Sequence, residues 1–238
     1  MLPKISTPSY FLTLPSTGKE IKYRPFLVRE EKLLVLALET EDTKNITEAI
    51  KTVIKNCIET KGIKVETLPT FDIEYLFLNI RGKSVGEEID VNIICPDDEE
   101  TTVSVKINID DIQVQKFEDH EKTIKVDDNV MIEMKYPSLE QFIKNNFDFN
   151  STNNMDQAFD LISSCIEKIY TKDEVWAAAD VTKKELNEFL DQMNSSQYKK
   201  IEKFFETMPK LSHKIKVTNP NTKVENEVTL EGLTSFFV

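Results

Sequence analysis

The stretch Thr70-Phe71-Asp72-Ile73-Glu74-Tyr75-Leu76-Phe77-Leu78-Asn79-Ile80-Arg81-Gly82-Lys83-Ser84-Val85-Gly86 decides how the rest of the chain must fold. It reads as a helix. Thr70 stands where an N-cap belongs, and Asp72 and Glu74 fall in the first turn, where carboxylates favour the positive end of the helix dipole. Ile73, Leu76, Phe77 and Ile80 share one stripe, and Tyr75 and Leu78 widen it. A helix apolar over most of its circumference has to be covered from both sides. The segments before and after it are the expected covers, and Gly82 is the expected stop. Nothing in the stretch is reactive.

Working back, residues 8–27 read as a β-hairpin. Ser9 to Leu14 is followed by the turn signal Pro15-Ser16-Thr17-Gly18, and Ile21 and Tyr23 then alternate with Glu20, Lys22 and Arg24. Helical period begins near Val28, with Leu33, Leu34, Ala37 and Leu38 on the apolar side and Glu30, Glu31 and Lys32 on the charged one. A second helix carries Ile46, Ala49, Ile50, Val53, Ile54, Cys57 and Ile58 on one stripe, and Gly62 is its expected C-cap. Core packing outweighs partner binding as the use of that stripe.

Working forward, the period switches to two. Ile89, Val91 and Ile93 lead into the polar turn Cys95-Pro96-Asp97-Asp98-Glu99-Glu100, and Val103, Val105, Ile107 and Ile109 return. Short strands are expected over 112–117, 122–126 and 130–136, which makes the middle region a small, mostly antiparallel sheet. A helix begins at Pro137 with Leu139, Phe142 and Ile143. Another runs through Ala158, Leu161, Ile162, Cys165, Ile166 and Ile169, and Thr171 to Trp176 resembles a capped start too short to stand alone. Thr182 with Glu185 forms a capping box for the next helix. Ser195 or Ser196 opens the last one, which Pro209 ends. The tail is a second hairpin, Leu211 to Val217 and Val224 to Leu230, turning at Asn219-Pro220-Asn221-Thr222.

The fold class expected is therefore α+β, in four segments: an N-terminal hairpin with helices (1–86), a middle β unit (87–136), a helical segment (137–208) and a C-terminal hairpin (209–238). The two hairpins are expected to pack as one layer and the helices as another. Each hairpin has the outline of a zinc-ribbon knuckle, strand, Cys-Pro-x-Cys, strand, but the first keeps only Cys95 and the second has no Cys. One thiolate cannot hold a structural zinc, so no metal is expected. The chain ends on Phe236-Phe237-Val238, although free ends are usually polar and frayed. Those aromatics and the tips Cys95-Pro96-Asp97-Asp98 and Asn219-Pro220-Asn221 are the candidate partner-binding residues.

Composition narrows the function classes. With 238 residues, 39% hydrophobic and 30% charged, the chain is globular rather than disordered. Its net charge of −12 argues against sequence-independent nucleic-acid or anionic-membrane binding. Five glycines are few for phosphate loops, and no Walker A, Gly-x-Gly-x-x-Gly or His-Glu-x-x-His pattern occurs. Three scattered Cys (Cys57, Cys95, Cys165) point to a reducing compartment, and Cys57 and Cys165 lie on apolar stripes as small hydrophobes. His120 and His213 lack triad surroundings. The acidic clusters Asp97 to Glu100 and Asp110-Asp111 fit solvated turns better than a Ca²⁺ loop. No run approaches membrane-span or signal-peptide length. No catalytic, cofactor-binding or metal-binding residue emerges.

Three segments carry a resemblance: Leu12 to Phe26 (Leu-Thr-Leu-Pro-Ser-Thr-Gly-Lys-Glu-Ile-Lys-Tyr-Arg-Pro-Phe), Val28 to Leu34 and the organising helix. Together they resemble the N-terminal half of the baseplate protein family of T-even-type contractile-tailed bacteriophages. Thr229-Leu230-Glu231-Gly232-Leu233-Thr234-Ser235-Phe236-Phe237 resembles that family's ending. The resemblance implies a non-enzymatic baseplate hub subunit or hub assembly protein. It would be made in the cytoplasm of an infected bacterium, with other hub and tail proteins as partners and the virion baseplate as a further location. It also implies Cys pairs at the hairpin tips of relatives, where this chain has Pro96-Asp97-Asp98 and Asn219-Pro220-Asn221. Two alternatives stand beside it. One is a chaperone released before the virion is complete. The other is a metal- or nucleic-acid-binding ribbon protein, which the missing ligands and the charge oppose. Homo-oligomerisation is left open.

Overall fold

In the computed structural model the described residues are 5–40, 42–138, 155–232 and 235. The fold is α+β. Close contacts divide the chain into two units, Met1–Gln115 with Lys210–Val238, and Lys116–Pro209.

The first unit opens with the antiparallel hairpin β1 (Tyr10–Thr13) and β2 (Glu20–Tyr23), registered Tyr10 to Tyr23 and Leu12 to Ile21. Alternation along β2 buries Ile21 and Tyr23. Two helices follow, α1 (Val28–Leu38) and α2 (Thr43–Cys57). The second ends at Cys57, before the expected Gly62, because Ile58 leaves the helix to bridge Tyr23 and the Glu59 N–H donates to Lys22 O at 2.8 Å. In α1 the expected polarity is reversed at two positions: Glu30 is buried and Leu38 is exposed.

The organising helix, α3 (Thr70–Val85), corrects two expectations. Thr70 is its first residue rather than its cap, which is Pro69, and the Thr70 hydroxyl is buried without a hydrogen-bond partner. The helix also runs past Gly82 to Val85 and ends where Gly86 takes φ +143°. Gly82 is needed for close approach: a Cβ there would lie 3.3 Å from Ile109 Cδ1. Phe71, Ile73, Leu76, Phe77, Leu78 and Ile80 are all buried, and α2 packs against the same helix.

Beyond α3 come β3 (Glu88–Ile94) and β4 (Thr102–Asn108), paired antiparallel from Glu88–Asn108 to Ile94–Thr102, then β5 (Gln113–Gln115).

The second unit holds a four-stranded antiparallel sheet, ordered β6-β7-β8-β9, from β6 (Thr123–Lys125), β7 (Met131–Met134), β8 (Ile166–Tyr170) and β9 (Val175–Ala177). Its helices are α4 (Met155–Cys165), α5 (Lys183–Asp191) and α6 (Ser195–Thr207). The helix expected to reach Ile169 stops at Cys165. Ile132 pairs with Ile169 and Met134 with Ile166, and the register shift between Glu133 and Met134 is a bulge. The bulge puts two inward side chains three residues apart in a strand, a spacing that imitates a helix. Thr171 to Trp176 forms a turn and β9 instead of a helix start. The Thr182–Glu185 capping box forms on α5, and Asn194 with Gln197 makes a second one on α6. Ile132, Met134, Leu161, Cys165, Ile166, Leu190, Ile201 and Phe204 lie in this unit's core. The helix expected from Leu139 to Ile143 lies outside the described residues.

The chain completes the first unit with β10 (Lys210–Thr218) and β11 (Glu225–Glu231), and β10 is the centre of the sheet β11-β10-β5. The strands from 87 to 136 therefore serve three sheets rather than the single one expected. Both long hairpins bury their period-two faces in one cluster: Ile89, Val91, Ile93 and Ile107 from the first, Leu211, Ile215, Val217 and Leu230 from the second, with Leu78 of α3.

Candidate interaction site at the paired hairpin tips

The tips of β3-β4 and β10-β11 share a backbone pattern. At the first, Cys95 N–H donates to Thr101 O (2.8 Å), Glu99 N–H donates to Cys95 O (2.9 Å), and Glu99 takes φ +57°. At the second, Asn219 N–H donates to Val224 O (2.9 Å), Lys223 N–H donates to Asn219 O (2.9 Å), and Lys223 takes φ +66°. Cys95 and Asn219 thus hold equivalent places, each followed by Pro and each buried.

Polar side chains join the two tips. Asn219 Nδ2 donates to Asp97 Oδ1 (3.0 Å) and Oδ2 (3.2 Å) and to Asp98 Oδ2 (2.9 Å). Asn226 Nδ2 donates to Asp97 Oδ1 at 2.9 Å, and the Thr222 hydroxyl donates to Asp97 Oδ2. Asn221 Nδ2 donates to Thr101 Oγ1 at 2.9 Å, and that hydroxyl donates to Asp98 Oδ2 at 2.5 Å. Hydrogen bonds to a carboxylate favour its charged form. Those from Asn219 and Thr222 lower the Asp97 pKa, and those from Thr101 and Asn219 lower that of Asp98. Burial, and then the two aspartate charges, push the Cys95 thiol up.

The donor set does not fit zinc. Cys95 is a single thiol held away from its thiolate, and Asn and Thr protons fill the carboxylate acceptor positions. Among the described residues no three His, Cys, Asp or Glu side chains converge as metal ligands. The junction is a hydrogen-bonded clasp, with Pro96, Glu99, Glu100, Pro220 and Asn221 exposed around it.

Of the residues expected from sequence, Cys95 to Asp98 and Asn219 to Asn221 are brought together. Phe236 and Phe237 lie outside the described residues. Thr101, Thr222 and Asn226 were missed, because polar residues in a turn, or near the start of a strand, read as solvated. Their signal is the equivalence of the two tips, which sets Thr222 at the place of Asp98.

The two other thiols and the two histidines have local surroundings of their own. Burial raises the thiols of Cys57, to about 11, and Cys165, to about 12. His120 bridges Thr207 Oγ1 and Tyr136 Oη at 3.0 Å each, and His213 Nδ1 lies 3.1 Å from Asp111 O.

Comparison with known proteins gives a match over residues 7–238 to the family described as T4 bacteriophage base plate protein. The chain belongs to that family. Nearly all of both units, and both hairpin tips, fall within the matched span. No curated protein and no solved structure matches this base plate protein. Its role is that of a structural component of the phage baseplate, and other tail proteins are its neighbours there. Among the described residues no helix is long and apolar enough to cross a membrane.

Proposed function

We propose that this base plate protein acts, without catalysis, in building the central hub of a contractile tail, before and during its residence in the baseplate. The observation that carries the reading is the clasp. Two loops about 120 residues apart in sequence are fixed side by side by at least six side-chain hydrogen bonds. Such a clasp presents Pro96, Pro220 and Asn221 on a preorganised surface, which lowers the entropy cost of docking another protein. In this reading Pro96, Asp97, Pro220 and Asn221, held in place by Asp98 and the buried Cys95 and Asn219, and the Phe236-Phe237 end contact other hub and tail proteins, first in the host cytoplasm.

Quantitative mass spectrometry of purified virions beside infected-cell lysate tests it. Peptides at fixed copy number per virion support a hub subunit. Abundance in lysate with absence from particles supports an assembly factor that leaves before completion. Deletion of Phe236 to Val238 should impair tail assembly more than folding, and loss of cooperative unfolding in the truncated chain would make that end ordinary core.

A further inference from the structure

The hairpin β3-β4 is a two-stranded sheet, so each of its strands has an open edge. The hairpin ladder decides which backbone groups face that edge. Cys95 N–H donates to Thr101 O at one end, and Ile109 N–H donates to Glu87 O, at 2.7 Å, at the other. Bonded and non-bonded pairs alternate along an antiparallel ladder, so Val103, Val105 and Ile107 are the residues of β4 that bond to β3. The N–H and C=O groups of Thr102, Ser104, Lys106 and Asn108 then point away from the hairpin. These four residues are exposed, and their backbone groups have no hydrogen-bond partner among the described residues.

Three seven-residue strands of the first unit, β3, β4 and β11, have such an edge, and they are not alike. Acidic residues on an edge strand discourage pairing in a chain of net charge −12. The outward positions of β11 include Glu225, Glu227 and Glu231, and those of β3 include Glu88 and Asp90. On β3 the inward side chains Ile89, Val91 and Ile93 are already 3%, 1% and 3% exposed, so a further strand there would bury little. On β4 the inward Val103 and Val105 pack against the apolar cluster but stay only partly buried. This strand has no acidic residue, proline or glycine, and its one charge is Lys106.

The β4 edge is also its own complement. A two-fold axis normal to the sheet at Val105 sets two copies of β4 antiparallel, with their apolar faces on the same side. Ser104 then lies opposite Lys106 of the second copy and Thr102 opposite its Asn108, so no like charges meet. The outward groups fall in register, and the four facing pairs exchange about eight main-chain hydrogen bonds. On the inner face Val105 meets Val105, and Val103 meets Ile107. The same operation on β11 would set Glu225 against Glu231.

We propose that β4 is a homodimer interface, at which a second copy of this chain adds its own β4 antiparallel and joins the two hairpins into one four-stranded sheet.

Sedimentation equilibrium of the full chain across the micromolar range tests this, and a reversible monomer–dimer equilibrium is the expected result. Ser104→Pro removes an N–H that the hairpin itself does not use, so the fold should survive while dimerisation is lost. Ser104→Glu places a carboxylate opposite Lys106 in both symmetry-related pairs and should tighten the dimer about threefold or more, whereas Ser104→Lys should loosen it by as much. Far-UV dichroism of dilute samples should match the wild type for both charge variants, which decide the matter if the proline variant does not fold. A chain that stays monomeric throughout overturns the proposal. So does a dimer that Ser104→Glu and Ser104→Lys fail to shift in opposite directions.

Discussion

The carboxamide of Asn219, with 0% exposure, donates to both carboxylate oxygens of Asp97, at 3.0 and 3.2 Å, across two hairpins that also share an apolar cluster. Replacing Asn219 by Asp would set a third carboxylate against Asp97 and Asp98. The expected outcome is a large loss of stability at pH 7, partly recovered near pH 4, where carboxylates take up protons. Asn219→Ala removes the donors without adding charge. It should cost about 2 kcal/mol, in the range for hydrogen bonds to charged groups after allowance for water reaching the aspartates. Calorimetric unfolding of the two variants at both pH values checks this, and equal losses at pH 4 and pH 7 for Asn219→Asp would contradict it.

Glu30 and Arg24 form the ion pair beneath α1, and Arg24 also donates to the carbonyls of Pro25 and Asn56. Removing one partner of a buried pair leaves the other charge uncompensated. Glu30→Ala should therefore destabilise by about 3 kcal/mol. The hydrogen bonds from Arg24, Leu27 and Arg29 outweigh burial and lower the Glu30 pKa below 4.5. A carboxylate with a depressed folded value contributes stability that is present above its unfolded pKa and is lost as pH falls below it. The wild-type advantage over Glu30→Ala should then shrink below pH 4.5, as urea midpoints measured from pH 7 down to pH 3 would show.

Much of the architecture could be read from residue patterns, and the failures have physical causes. Alternation of Ile89, Val91 and Ile93, and of Leu211, Ile215 and Val217, identifies the hairpins because each has one wet and one buried face. Glu30 looked solvated because period alone cannot see that Arg24, six residues earlier, returns to pair with it. Ile166 and Ile169 looked helical because a bulge changes strand spacing from two to three. The tip residues Cys95 to Asp98 and Asn219 to Asn221 were noticed for their outline. Their joining by Asn226 and Thr222 depends on contacts more than 120 residues apart in sequence, which no local pattern carries.

Gly82 gives a test of close packing. Alanine is worth about 1 kcal/mol over glycine within a helix. Here its methyl would meet Ile109 Cδ1 at 3.3 Å, the end of a flexible side chain that can move slightly. Gly82→Ala should thus change stability by less than 1 kcal/mol. Gly82→Leu, which gains nearly the same propensity, should lose about 2 kcal/mol by overpacking. A stabilised leucine variant in thermal unfolding would show that α3 can move off the Ile109–Asp111 turn at little cost.

His120 should give the second unit a pH dependence of its own. Thr207 Oγ1 donates to Lys203 O at 2.7 Å, so it accepts from His120 Nδ1–H, and Nε2 then accepts from the Tyr136 hydroxyl. The ring packs against Tyr136 and Phe204, with centroids 5.6 and 5.1 Å away. Burial, followed by the Lys122 charge, lowers its pKa from 6.5, and Asp119, itself paired with Lys203, opposes the shift. Because the folded value is depressed, the unfolded chain binds a proton first as pH falls through 6.5, and stability drops until the folded value is reached. Above pH 6.5 the effect is absent. Trp176, the only tryptophan, lies in β9 of the same unit, so its fluorescence reports this unfolding. Urea titrations at pH 7.5 and 5.5 should show a lower midpoint at pH 5.5 for the wild type and a smaller difference for His120→Gln. Equal differences in the two proteins would assign the pH dependence to other groups.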